Sequence, residues 1–103
     1  MKKSLLLEVV ASDLDKARDL VKAAADLELA EHESEYLGGL YFRGTLDGAS
    51  LLLQENFMED DGECTEAEFS DACFLLYVDG ADVDVDRVSD RLSNLRVLRA
   101  STY

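Results

Sequence analysis

The amino-acid sequence predicts one α+β domain, a βαβββ module followed by a partial βαβ module. Three observations carry that expectation. The chain has 103 residues, the length of a single domain. Its hydrophobic fraction of 48% is enough for one core. A unit made of an apolar strand, an Asp-rich turn and an amphipathic helix occurs twice, beginning at Leu7 and again at Leu75, which reads as a weak internal duplication. The expected division is 1–56 for the first module, 57–71 for an acidic connector and 72–103 for the partial second module.

The elements follow in order. Leu5 to Val10 is apolar apart from Glu8 and predicts a buried strand. Ser12 is placed to cap the next helix, whose first turn carries Asp13 and Asp15. Leu14, Ala17, Val21 and Ala24 recur at helical spacing and set that helix at about 13–26. An extended stretch runs from Leu29 to Tyr36, is broken at Gly38-Gly39, and resumes at Leu40-Tyr41-Phe42-Arg43. Asp47-Gly48 is a hairpin signal leading into a strand from Ala49 to Gln54. Thr65 with Glu68 fits a capping box and predicts a single helical turn inside the connector. Ala72 to Val78 is the next strand, and Asp79-Gly80 is expected to turn the chain. Val85, Val88 and Leu92 mark a helix at about 84–93 that Asn94 would end, before a last strand from Leu95 to Leu98.

Charge narrows the function classes. There are 23 acidic and 10 basic residues, a formal net charge of -13. That balance argues against nucleic acid and against anionic membranes as partners. It fits a cationic ligand, a basic protein partner, or a solvated acidic surface of the kind that salt-adapted, lysine-poor proteins carry. No apolar run approaches the roughly 20 residues of a membrane helix. The opening Met1-Lys2-Lys3-Ser4-Leu5-Leu6-Leu7 is cut short by Glu8 before it can serve as a signal peptide, so the expected location is cytoplasmic. Cys64 and Cys73 lie in an acidic loop and a strand, without metal-ligand spacing, and are expected to be reduced thiols.

Three segments stand out together: Val10-Ala11-Ser12-Asp13-Leu14 with its helix, Gly44 to Leu53, and Phe74 to Asp79 followed by Val83 to Val88. They resemble the vicinal oxygen chelate superfamily of glyoxalases, bleomycin-resistance proteins and extradiol dioxygenases. The resemblance implies paired βαβββ modules, here with the second one incomplete and open to completion by strands of a homodimer partner. The departures are specific. Leu20-Val21 and Ala25-Asp26 stand where the family has helix aromatics and a Leu-Gly, and the chain contains no proline. A ferredoxin-like βαββαβ domain with one extra strand uses nearly the same element order and is the alternative.

The resemblance carries the family's metal-ligand positions onto Leu6, onto Leu52 or Gln54, and onto Cys73. Leucine cannot ligate, and a thiol with an amide is a poor set for a divalent ion. No metal or other cofactor is therefore expected, and no catalytic residue is assigned. His32 falls outside the matching positions and is expected to be exposed. Strand alternation instead outlines a groove. With Leu5, Leu7 and Val9 packed on the helices, Leu6, Glu8 and Val10 face the other side, joined by Leu52 with Gln54 and by Cys73 with Leu75 and Tyr77. Tyr41 and Arg43 extend the set. The expected ligand-binding residues are Glu8, Tyr41, Arg43, Gln54, Cys73 and Tyr77, in a mostly apolar setting suited to a ligand pocket. Glu8, a carboxylate in an apolar strand, needs a partner such as Arg43 or a cationic ligand.

The expected function is non-catalytic sequestration of a small aromatic or cationic molecule, in the manner of the bleomycin-resistance branch, by a homodimer. The alternatives are an acidic immunity- or inhibitor-type protein that masks a basic partner, and an enzyme of the superfamily whose site is completed across a dimer.

Overall fold

Alternation in the first strand sets the architecture. In the computed structural model, which describes residues 1–34, 39–56 and 65–103, β1 (Lys2–Val9) sends Leu5, Leu7 and Val9 into the main core and Leu6 to the opposite face. The chain continues through α1 (Leu14–Ala25), β2 (Ala30–Ser34), β3 (Gly39–Leu46), β4 (Ala49–Glu55), a 3-10 turn at Ala67–Phe69, β5 (Phe74–Ala81), α2 (Asp82–Arg91) and β6 (Arg96–Thr102). The result is a small α+β fold. Its six strands form one sheet in the order β2-β3-β4-β5-β1-β6, with every neighbouring pair antiparallel.

Both helices lie on one face of that sheet. α1 buries Ala17, Val21 and Ala25, and α2 buries Val85 and Val88 with Leu92 just beyond its end. The small residues of α1 let its backbone approach the strands, where Phe42, Leu51, Leu53, Leu76 and Val78 complete the core. Each large apolar side chain buried in this way contributes about 2 kcal/mol relative to exposure. The stretch 27–29 crosses close above β3 at Gly44, where an added Cβ would stand 2.8 Å from the Glu28 carbonyl oxygen. Gly44 thus lets this connection lie flat on the sheet.

Several local expectations are corrected. Asp13, not Ser12, caps α1: it is extended (φ -156°) and its Oδ1 accepts from the Lys16 amide at 2.8 Å. Asp79-Gly80 does not turn the chain, because Asp79 pairs with both Ser4 and Ser50 and β5 runs on to Ala81. α2 begins at Asp82 and is closed by Leu92 rather than by Asn94. β6 extends to Thr102, pairing along β1 through a register shift between Leu6 and Leu7. The Asp47-Gly48 hairpin is present, with both residues at positive φ (52° and 88°), as a tight two-residue turn requires. At Gly48 an added Cβ would also meet an Asp84 carboxylate oxygen at 2.7 Å, so the turn and the start of α2 are packed together. Tyr36, Gly38, Cys64 and the run Met58 to Glu63 lie outside the described residues.

The single helical turn expected in the connector forms, but not by the expected capping box. Its first residue is preceded by Glu66, which makes no side-chain cap, and the Thr65 hydroxyl has no hydrogen-bond partner among the described residues. Asn56 holds the turn instead.

Candidate functional site

Among the described residues, the helix-free face of the sheet is covered over part of its width and open over the rest. Residues 65–72 lie across the β1 and β5 portion, where Leu6 and Leu75 are buried together with Ala72 and flanked by Phe69, Tyr77 and Leu98. Asn56, 5% exposed, anchors this cover from the end of β4. Its Nδ2 donates to the Phe69 and Ala72 carbonyls at 2.9 and 2.8 Å, and its Oδ1 accepts from the Glu66 amide at 2.8 Å.

Glu66 clamps the cover to the sheet. The Tyr77 hydroxyl donates to Glu66 Oε1 at 2.7 Å, and the Arg99 guanidinium donates to its two oxygens at 3.1 and 3.3 Å. Burial works against ionising Glu66, but the bonds from Tyr77 and Arg99 outweigh it and hold its carboxyl below the ordinary 4.5. Burial, and then the carboxylate it bonds, push Tyr77 well above the ordinary 10, so its hydroxyl stays a donor across the physiological range. The hydrogen bond to Glu66 likewise raises Arg99.

Beside this cover, over β3, β4 and β5, lies a pocket of about 310 Å³. The volume is at the small end for ligand sites. Leu52 and Tyr77 form its floor, with Arg43 on the β3 side, Ser50 and Asp79 at one end, and Gln54 and Thr65 at the other. Two polar atoms there are sealed from solvent without a partner among the described residues, Gln54 Oε1 and Thr65 Oγ1. Gln54 itself is 2% exposed. A buried amide oxygen that is left unsatisfied costs about 1–3 kcal/mol.

Comparison of the chain with protein-family models, with curated proteins and with solved structures finds no match. The site therefore has to be read from its own groups.

Of the six residues expected from the sequence, the structure gathers Arg43, Gln54 and Tyr77 around this pocket. Tyr41 lies one step along β3 and stacks on His32 of β2, ring centroids 5.4 Å apart and 19° from parallel. Glu8 faces the same side of the sheet but pairs with Arg96 of β6 at 3.7 Å, not with Arg43, because two strands, β5 and β4, separate β1 from β3. Cys73 is exposed and borders a separate hollow of about 90 Å³ with Glu8 and Val10. Ser50 and Asp79 follow from the same two-residue alternation that selected Leu52 and Tyr77, carried one step further along each strand. Thr65, Glu66 and Asn56 had no comparable signal, since their roles depend on how residues 65–72 lie across the sheet.

Among the described residues no group of three or more His, Cys, Asp and Glu side chains is placed to hold a metal ion. No helix among them is long and apolar enough to cross a membrane.

Proposed function

We propose that this domain binds a small molecule in the pocket above Leu52 and Tyr77 and acts by holding it. The observation that carries this reading is Gln54, a residue that borders the pocket and whose buried Oε1 has no donor among the described residues. Gln54 and Thr65 border the pocket beside the apolar Leu52 and Tyr77, and a few polar groups in an apolar setting are the usual composition of a site that orients a ligand. This keeps the sequestering role expected from the superfamily resemblance, but it rests on the pocket rather than on the resemblance.

The strand order supports the ferredoxin-like alternative for the finer fold. β5 and β6, joined through α2, flank β1, while β1 and β4 flank β5, which is an interlocked pair of split units. On this reading β2 and β3 extend a four-strand core at one edge of the six-stranded sheet.

Gln54→Leu tests the pocket. Leucine keeps much of the volume and removes the orphaned oxygen, so the ligand-free variant is expected to gain about 1 kcal/mol in urea unfolding. NMR titration of the native protein with phenol, indole, nicotinamide and L-tyrosine is expected to move the amide signals of Ser50, Leu52, Gln54 and Tyr77 with at least one of them. The same titration of Gln54→Leu should show the response lost or strongly weakened. If none of the probes moves those signals while the leucine variant is more stable, Gln54 is a packing defect and the reading fails.

A further inference from the structure

We infer that the ligand of this pocket is a free α-amino acid whose side chain ends in a hydrogen-bond donor. The inference rests on the pocket being a binding site and adds what it selects.

Two opposite charges line the pocket without pairing to each other or to any other described residue. Arg18, Arg87, Arg91, Arg96 and Arg99 each have a carboxylate within ion-pairing distance. Arg43 differs: it has no carboxylate within that distance among the described residues, and it borders the pocket. Asp79 borders the same pocket and is likewise outside the ion pairs of the described residues. An arginine outside every ion pair of the described residues, at a pocket that also holds an aspartate, is a specific arrangement.

The sheet register gives the spacing. Arg43, Leu52 and Tyr77 form one row across β3, β4 and β5, and Asp79 pairs with Ser50 in the row two residues further along. Two strands and two residues separate the Cα atoms of Arg43 and Asp79 by about 12 Å. An ammonium and a carboxylate on one carbon, each with an ion pair at hydrogen-bond length, span about 9 Å between their partners. The flexible arginine stem takes up the difference. The ligand's carboxylate then meets Arg43 and its ammonium meets Asp79.

Gln54 lies four residues beyond Ser50 on β4, about 13 Å along the strand, so the side chain of the bound amino acid runs over Leu52 and Tyr77 towards it. Its terminal O–H or N–H is directed at the Gln54 amide, whose Oε1 has no partner among the described residues. A zwitterion also suits the net charge of -13, because it carries no net charge to be repelled on approach, whereas a simple carboxylate is repelled.

Isothermal titration with four probes separates the contacts: L-tyrosine, tyramine (no carboxylate), 3-(4-hydroxyphenyl)propionate (no ammonium) and L-phenylalanine (no hydroxyl). L-Tyrosine is expected to bind, and each of the other three to bind about tenfold or more weakly. Arg43→Met should bind L-tyrosine and tyramine alike, and Asp79→Asn should bind L-tyrosine and the propionate alike. Arg43 is exposed, so its variant tests recognition without disturbing the core. If tyramine or the propionate binds the native protein as tightly as L-tyrosine does, the amino-acid inference is overturned while the pocket remains a binding site. If none of the four binds but phenol, indole or nicotinamide moves the pocket signals, the inference likewise fails. If nothing binds at all, both readings fall together with the result on Gln54→Leu.

Discussion

Asn56→Ala is expected to cost the fold about 3 kcal/mol and to release residues 65–72 from the sheet. Asn56 makes three close hydrogen bonds from a site only 5% exposed, to the Phe69 and Ala72 carbonyls and from the Glu66 amide. Alanine leaves those backbone groups without partners, and a buried unsatisfied group costs about 1–3 kcal/mol. The urea midpoint reads the loss, and hydrogen exchange at Glu66 and Ala72 should rise by a larger factor than exchange in β1 or β5. Asn56→Asp is the sharper variant, since it keeps an acceptor for the Glu66 amide and loses both donors. A change of less than about 0.5 kcal/mol in both variants would mean that water replaces Asn56 and that the cover is held elsewhere. Because Thr65 borders the pocket, ligand binding should weaken in step with the release.

Glu66→Ala is the second large effect, expected to cost about 2 kcal/mol, because it leaves the half-buried Tyr77 hydroxyl and the Arg99 guanidinium without their shared acceptor. Its pH dependence is specific. Glu66 has a folded-state value below the ordinary 4.5, so its contribution is fully present above 4.5 and is lost as pH falls through the lower folded value. Tyr77 has a raised value, so its contribution is present below the ordinary 10 and is lost as pH rises through the folded value. The stability difference between native protein and Glu66→Gln should therefore be flat from about pH 5 to 9 and shrink below that window. Taking the difference cancels the titration of the many other carboxylates. A difference that persists unchanged to pH 3 would show that the Glu66 charge plays no part in holding the cover.

How much of this was legible beforehand depended on range. Strand alternation correctly separated Leu5, Leu7 and Val9 from Leu6, and placed Leu52, Gln54, Leu75 and Tyr77 on the helix-free face. Such assignments need only the two-residue period of a strand. Capping went wrong at Ser12 and Thr65 because several neighbouring side chains are competent to cap, and the backbone entry angle chooses between them. Asp79-Gly80 looked like a turn, since those residue types favour turns, yet pairing on both sides holds them in a strand. Glu8 and Arg43 share a face but not a neighbourhood. Alternation reports which side a residue faces and nothing about which strand lies next to it.

The sequence by itself determined the element order, the Asp47-Gly48 hairpin and the faces of the strands, because each follows from local spacing and backbone preference. Only the tertiary structure decided the rest. It inserted β5 between β4 and β1, which brings Asp79 and Tyr77 beside Ser50, Leu52 and Gln54. It also folded residues 65–72 across the sheet, giving Tyr77 and Arg99 a common carboxylate and closing one end of the pocket with Thr65. Both outcomes are contacts between residues far apart in the chain. Their free energy comes from burial and hydrogen bonding shared across several elements, which no local pattern encodes.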